Sequence, residues 1–340
     1  MSVWESFKNR WFGPPPTTAS PQRAQRVEVA PGLVVSVSRH VIDRPGGGLT
    51  CWSYVTEGLA THGQKEMVLT LSQGPALAEP SSSAQELFQL FATFQHFARQ
   101  GRTVDVGDVT RFGERKPLGR HLVYLPASPL PGVPVPKEAL AVMFVTDAEL
   151  ALVEANGAMR LMASLGHVYS HYPCPPWSDL ERPELPALAL REASILSRPA
   201  RAHVRGARVL QLEGELVLRM VPGSEKGFRQ MLAKSPGVET EGFGLLTGFD
   251  PTADAWLVWS PGQSAPSAIT PPGSRGERVG GCFVMFVPGQ QKDEALIVED
   301  GFVWMLTQAS WTALLRALSE GQSLALLAES GKRLRLEWAH

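Results

Sequence analysis

Disulfide scaffolds, membrane-spanning helices and phosphate-backbone clamps each leave a mark that this chain lacks. It carries only three cysteines in 340 residues, Cys51, Cys174 and Cys282, an odd number spread far apart. That spacing excludes a cysteine framework and reads as buried, reduced thiols in a reducing compartment. No stretch approaches the roughly 18 uninterrupted apolar residues of a spanning helix, so no membrane span is expected. Neither sign of charge is in excess. Lys and Arg total 32 against 33 Asp and Glu, a net charge of -1, which leaves no surplus for a phosphate backbone and no expected nucleic-acid partner. The N-terminal MSVWESFKNRWFGPPP interleaves charges with aromatics where a secretory leader needs a continuous apolar core. A cytoplasmic protein is the resulting expectation.

The familiar catalytic signatures are missing too. The chain has no G-x-S-x-G elbow, Walker loop, H-E-x-x-H pair or C-x-x-C pair, and no G-x-G-x-x-G turn after a strand. No cofactor is expected. Two constellations still hold chemistry-bearing side chains. In HVYSHYPC, His167, His171 and Cys174 could offer two nitrogens and a sulfur if the helix ran through them. Gly166 and Pro173 argue that it has ended, so no metal site is assigned. In IVEDG, Glu299 and Asp300 could act as a carboxylate pair, but Gly301 marks a tight turn whose side chains should point into solvent.

What is present is a globular composition, 44% hydrophobic and 19% charged, in a chain longer than one core usually serves. The spacing predicts an α+β protein of two lobes. Residues 1–20 form an aromatic segment (Trp4, Phe7, Trp11, Phe12) with a proline tether, residues 21–190 an α/β lobe, and residues 200–340 a strand-rich lobe with mainly antiparallel sheet. In the first lobe LVVSVS (33–38), MVLTL (67–71) and ALAVMFV (139–145) read as strands. Ser83 with Glu86 reads as a capping box opening an amphipathic helix that ends near Gly101. Thr146 with Glu149 reads as a second box, its helix closed by Gly166. PASPLPGVPVP (126–136) must be a loop, and the six prolines from Pro173 to Pro199 suit a linker. RVLQL, ELVLRM, WLVW, CFVMFV, FVWML and RLRLEW read as strands of the second lobe, with short helices near Phe228–Leu232 and Trp311–Leu318.

Three phrases taken together carry a likeness: WSYVTEGL (52–59) with Gly63 and Glu66, LGHVYSHYPCP (165–175), and IVEDG (297–301). In this order and at these separations they resemble the C-terminal region of the Smad anchor for receptor activation and its relative endofin, from about residue 30 onward. The first lobe is also similar to a suppressor-of-fused domain. There GQKEMVLTL is the strand, QELFQLFATFQHFARQG the helix, and ALAVMFVTDAELALVEANGAMRLMASLG the later strand and helix. Both resemblances imply a protein-interaction module with no catalytic residues, whose partner is an unidentified protein. The matching positions, possible partner contacts, are Trp52, Tyr54, Thr56, Glu57, Gly58, Tyr169, Tyr172, Pro173, Cys174, Trp177, Glu299, Asp300 and Gly301, with Trp52, Tyr54, Tyr172 and Trp177 as candidate exposed anchors.

The chain departs from the Smad anchors in having no cysteine-rich lipid-binding finger and no separate Smad-binding segment, so endosomal targeting and Smad binding are not implied. It is closer in kind to bacterial suppressor-of-fused-like immunity proteins, and a cleft between the lobes would then dominate the contact. Two competing expectations stand beside this one: an enzyme built around His167, His171 and Glu66, and a scaffold held by its N-terminal aromatic segment.

Overall fold

A sheet strand turns alternate side chains to opposite faces, so a continuous apolar run demands cover on both. Two such runs, MVLTLS and LAVMFV, lie side by side at the centre of the first sheet. The computed structural model describes residues 25–44, 46–73, 80–235 and 237–338; the aromatic segment and its tether lie outside the described residues. The first sheet holds β1 (Gln25–Ala30), β2 (Leu33–Arg44), β3 (Gly47–Glu57), β4 (Met67–Ser72), β5 (Val109–Thr110), β6 (His121–Pro126) and β7 (Leu140–Val145), in the order β1-β2-β3-β4-β7-β6-β5. All neighbours are antiparallel except β4 and β7, which run parallel with Met67 opposite Leu140. On β7, Val142 and Phe144 pack beneath α1 (Pro80–Arg99), whose Leu87, Leu90, Phe91 and Phe94 form the buried stripe. Met143 and Val145 face the opposite side, into a second core.

Polar residues also turn inward on this sheet. His40 Nε2 lies 2.8 Å from Ser53 Oγ, which lies 2.6 Å from Thr70 Oγ1, making a buried ladder across β2, β3 and β4. Burial lowers the pKa of His40 below its ordinary 6.5. As pH falls through that value the unfolded chain takes up a proton that the folded His40 resists, so stability falls with pH. His40→Gln should therefore flatten the decline in melting temperature between pH 7 and pH 5, which calorimetry at several pH values would check.

The second core lies against three helices, α2 (Asp147–Asn156), α3 (Ala158–Tyr169) and α4 (Ala187–Ala193). The capping box at Thr146 and Glu149 is present with both hydrogen bonds. Gly157 (φ +88°) then breaks the helix, and α3 runs past Gly166 to a left-handed Ser170. Gly166 is thus a packing residue and not a terminator. A Cβ there would sit 2.3 Å from the carbonyl of Pro173 and 2.8 Å from that of His171. The helix expected to open at Ser83 begins three residues earlier, since α1 starts at Pro80.

Residues 200–338 build two further sheets. The second contains β9 (Arg208–Leu212), β10 (Glu215–Met220), β12 (Ala255–Val258), β13 (Ser267–Ile269), β14 (Val279–Gly280), β18 (Leu324–Leu327) and β19 (Arg333–Trp338), ordered β13-β12-β14-β9-β10-β19-β18. The third contains β8 (Ala200–His203), β11 (Phe243–Leu246), β15 (Phe283–Val287), β16 (Glu294–Val298) and β17 (Gly301–Met305), ordered β16-β17-β15-β11-β8. Helices α5 (Glu225–Lys234), α6 (Val238–Glu241) and α7 (Gln308–Glu320) complete it. Leu216, Leu218, Phe243, Phe286, Trp304, Trp311 and Leu336 pack in the core these two sheets share with the helices. Six of the ten strand pairings in these two sheets are antiparallel, in line with the mainly antiparallel expectation, while β12 with β14, β10 with β19, β8 with β11 and β15 with β17 pair in parallel, so both sheets are mixed. The fold is α+β, and among the described residues no sheet draws strands from both sides of residues 146–199. The helical core joins the sides, since Leu150, Met162 and Leu165 share it with Leu210, Leu246, Trp256 and Phe283.

Candidate functional site

Helix α3 is apolar on nearly every side, and such a helix is buried all round; a charge within it needs a buried partner. Arg160 is that charge, with no exposed surface. Its partners are the two carboxylates of the IVEDG turn. Nε lies 3.1 and 3.0 Å from the two oxygens of Asp300, Nη2 bonds Asp300 and also Glu299 at 2.8 Å, and Nη1 donates to Ser194 Oγ at 2.5 Å. Ser194 donates onward to Glu299 at 2.7 Å, and the Ile195 amide donates to the other Glu299 oxygen at 2.6 Å. The guanidinium lies 5.4 Å from the ring centre of Phe283 and 5.6 Å from that of Trp259. Burial would lower the pKa of Arg160, but Asp300 and Glu299 hold it above its ordinary value. The neighbouring Cys282 thiol is pushed well up, first by burial and then by Asp300.

The tight turn is real: Glu299 and Asp300 link β16 to β17, and Glu299 takes a left-handed φ of +54°. The outward orientation expected of them is wrong. Glu299 is 7% exposed and Asp300 fully buried, because one guanidinium recruits both carboxylates inward. Gly301 is required for the approach, since a Cβ would meet the Phe283 ring at 2.5 Å. The arrangement clamps α3 and the Ser194 segment to the third sheet.

The LGHVYSHYPCP phrase also serves packing. His167 is exposed at the end of α3. His171 beyond it sets its ring edge-on to Trp177 at 5.1 Å, and Tyr169 does the same at 5.7 Å. Tyr169 donates to Asp179 and Tyr172 to the carbonyl of Ala253. Cys174 packs at the border of the helical core. Among the described residues no group of three or more His, Cys, Asp or Glu could hold a metal ion. The proline-rich stretch after it is no simple linker. Ser178 inserts between β4 and β7: its amide donates to Thr70 O, its carbonyl accepts from the Ser72 amide, and its hydroxyl accepts from the Phe144 amide. Trp177, 1% exposed, fills the space beneath.

In the WSYVTEGL phrase, Glu66 is committed to the β3–β4 turn. It accepts from Thr56 Oγ1 (2.7 Å), the Gly58 amide (2.9 Å) and the Ala60 amide (3.1 Å). Gly58 (φ +122°) has no room for a Cβ, which would lie 2.1 Å from Gly32 O. Glu57 pairs with Arg26 at the surface. Of the four candidate anchors, Tyr54 and Trp177 are core residues, 2% and 1% exposed, while Trp52 and Tyr172 are half-buried.

Among the described residues two solvent-facing features bear on binding. The first is a cleft of about 210 Å³ between the first sheet and the rest of the chain, with the α2–α3 junction between them. Leu125, Met159, Leu246 and Phe249 supply its apolar wall. Lys65 and Asp105 pair at 2.7 Å on one side, and Arg205 reaches Asp108 at 2.6 Å on the other. Arg208 also lines it. The second feature is a pair of open strand edges. β16 and β18 each end a sheet, and the turn after β18 meets the start of β16 where the Glu329 amide donates to Asp293 O and Ser330 to Glu294. Leu296 and Ile297 on β16 are 45% and 40% exposed, and Leu327 on β18 is 66% exposed. No helix among the described residues is long and apolar enough to cross a membrane. No family model matches the chain, and no curated protein matches it.

Proposed function

We propose that this chain is a non-catalytic protein-interaction module that receives an extended segment of a partner protein along the open edge of β16. The observation that carries the reading is the exposure of Leu296 and Ile297 on that edge beside Leu327 on the next one. An unpaired edge offers a row of backbone donors and acceptors, and natural proteins usually blunt such edges with charge or proline. Here the middle of the strand is apolar on both faces, the combination used in strand addition: main-chain bonds hold the guest and alternate side chains choose it. The likeness to interaction modules points the same way.

The experiment is affinity capture from an extract of the source cells with the full chain and with Leu296→Lys/Ile297→Lys. A single stoichiometric protein should be recovered by the native chain and lost by the double variant, with melting temperature nearly unchanged because both positions are exposed. Equal recovery by the variant, or recovery of the chain alone, would remove the proposal. A captured toxin would make the module an immunity protein; a signalling component would make it an adaptor.

A further inference from the structure

A guanidinium removed from water needs an acceptor, and half-buried arginines in this fold generally have one: Arg182 is bound by Glu149 and Arg219 by Asp250. Arg208 is half-buried, yet its guanidinium has neither an ion pair nor a hydrogen bond with any described residue. It opens β9 on the same strand face as Leu210, which packs into the helical core, and it lines the cleft together with Leu125 and Met159. The other charges there cancel locally, Lys65 against Asp105 and Arg205 against Asp108. His203 completes the rim. One cation is left uncompensated beside an apolar wall.

We infer that this cleft is a binding site for a small monocarboxylate with an apolar body, held by a two-pronged contact from Arg208. A guanidinium matches the two oxygens of a carboxylate, and a single unpaired cation balances one negative charge where a phosphate dianion would be left in excess. The apolar wall of Leu125, Met159, Leu246 and Phe249 suits a hydrocarbon body. At about 210 Å³ the space lies below the usual range for drug-sized ligands, which sets the class as a small acid. This site is separate from the β16 edge and stands whether or not a protein docks there.

The test is calorimetric titration of the full chain with hexanoate, benzoate and acetate, alongside hexanol and inorganic phosphate. Hexanoate or benzoate should bind saturably at one site and more tightly than acetate, with hexanol and phosphate showing no saturable binding. Arg208→Gln should weaken that binding about tenfold or more while the ligand-free melting temperature holds. Should Arg208→Gln fail to fold, Arg208→Lys keeps the charge without the fork and must bind more weakly than the native chain. No saturable carboxylate binding, equal binding by the folded variant, or phosphate binding as tight as hexanoate would overturn the inference.

Discussion

Arg160→Met should cost about 3–5 kcal/mol of stability, read as a lowered urea midpoint, since it leaves carboxylates buried without their cation. Methionine fills much of the same volume, so the loss reports charge and not a cavity. Asp300 would retain no cation and Glu299 only the donors Ser194 and Ile195. Neutralising both in the same background, Arg160→Met/Glu299→Gln/Asp300→Asn, should recover part of the loss. If stability came instead from aromatic packing of the guanidinium on Phe283 and Trp259, the triple variant would be no better than the single one. The same network predicts coupling: a double-mutant cycle between Arg160 and Ser194 should show non-additivity, because Ser194 Oγ bonds both Arg160 and Glu299.

Hydrophobic periodicity exposed the parts of this fold that are built from apolar contrast. β4 and β7 were legible because both faces are covered and their runs are continuous; α1 was legible because its apolar residues fall on one stripe. β3 had no such signal. Its Ser53 and Thr56 are polar but buried, satisfied by His40, Thr70 and Glu66 from elsewhere in the chain, and a pattern of apolar letters cannot see partners. The same limit hid the inward turn of Glu299 and Asp300, whose cause, Arg160, lies far away in sequence. A signal for it did exist: a lone arginine inside AMRLMASLG, where every other position is apolar or small. Gly166 misled for a different reason, since a glycine needed for close approach and one needed for a left-handed cap look identical until the neighbouring backbone is known. The sequence-based expectation puts a partner contact in a cleft between the lobes and names none of the charges that line this one. Its chemistry depends on which charges find partners, and Arg208 becomes distinctive only once Lys65 and Arg205 are seen to be paired.

Trp177→Ala should destabilise the fold by about 3–5 kcal/mol, the cost of emptying a large aromatic site in a packed core. An exposed partner anchor would instead change stability by less than about 0.5 kcal/mol and abolish binding. The geometry favours the larger figure. Trp177 packs with Cys51, Val55 and Val68 from β3 and β4, its ring is bracketed by Tyr169 and His171, and Ser178 beside it is bonded to both β4 and β7. The segment cannot withdraw to close the void without breaking those bonds, so little relaxation is available. Trp177→Phe should cost less, about 1–2 kcal/mol, because the ring contacts are largely kept and the indole Nε1, which has no hydrogen-bond partner, is removed. The order Ala, Phe, native in urea midpoint would place this residue in the core. The family-like phrase LGHVYSHYPCP would then be a device that ties α3 to the first sheet, and recognition would fall to surfaces such as the β16 edge, which the IVEDG phrase touches only through Ile297 and Val298.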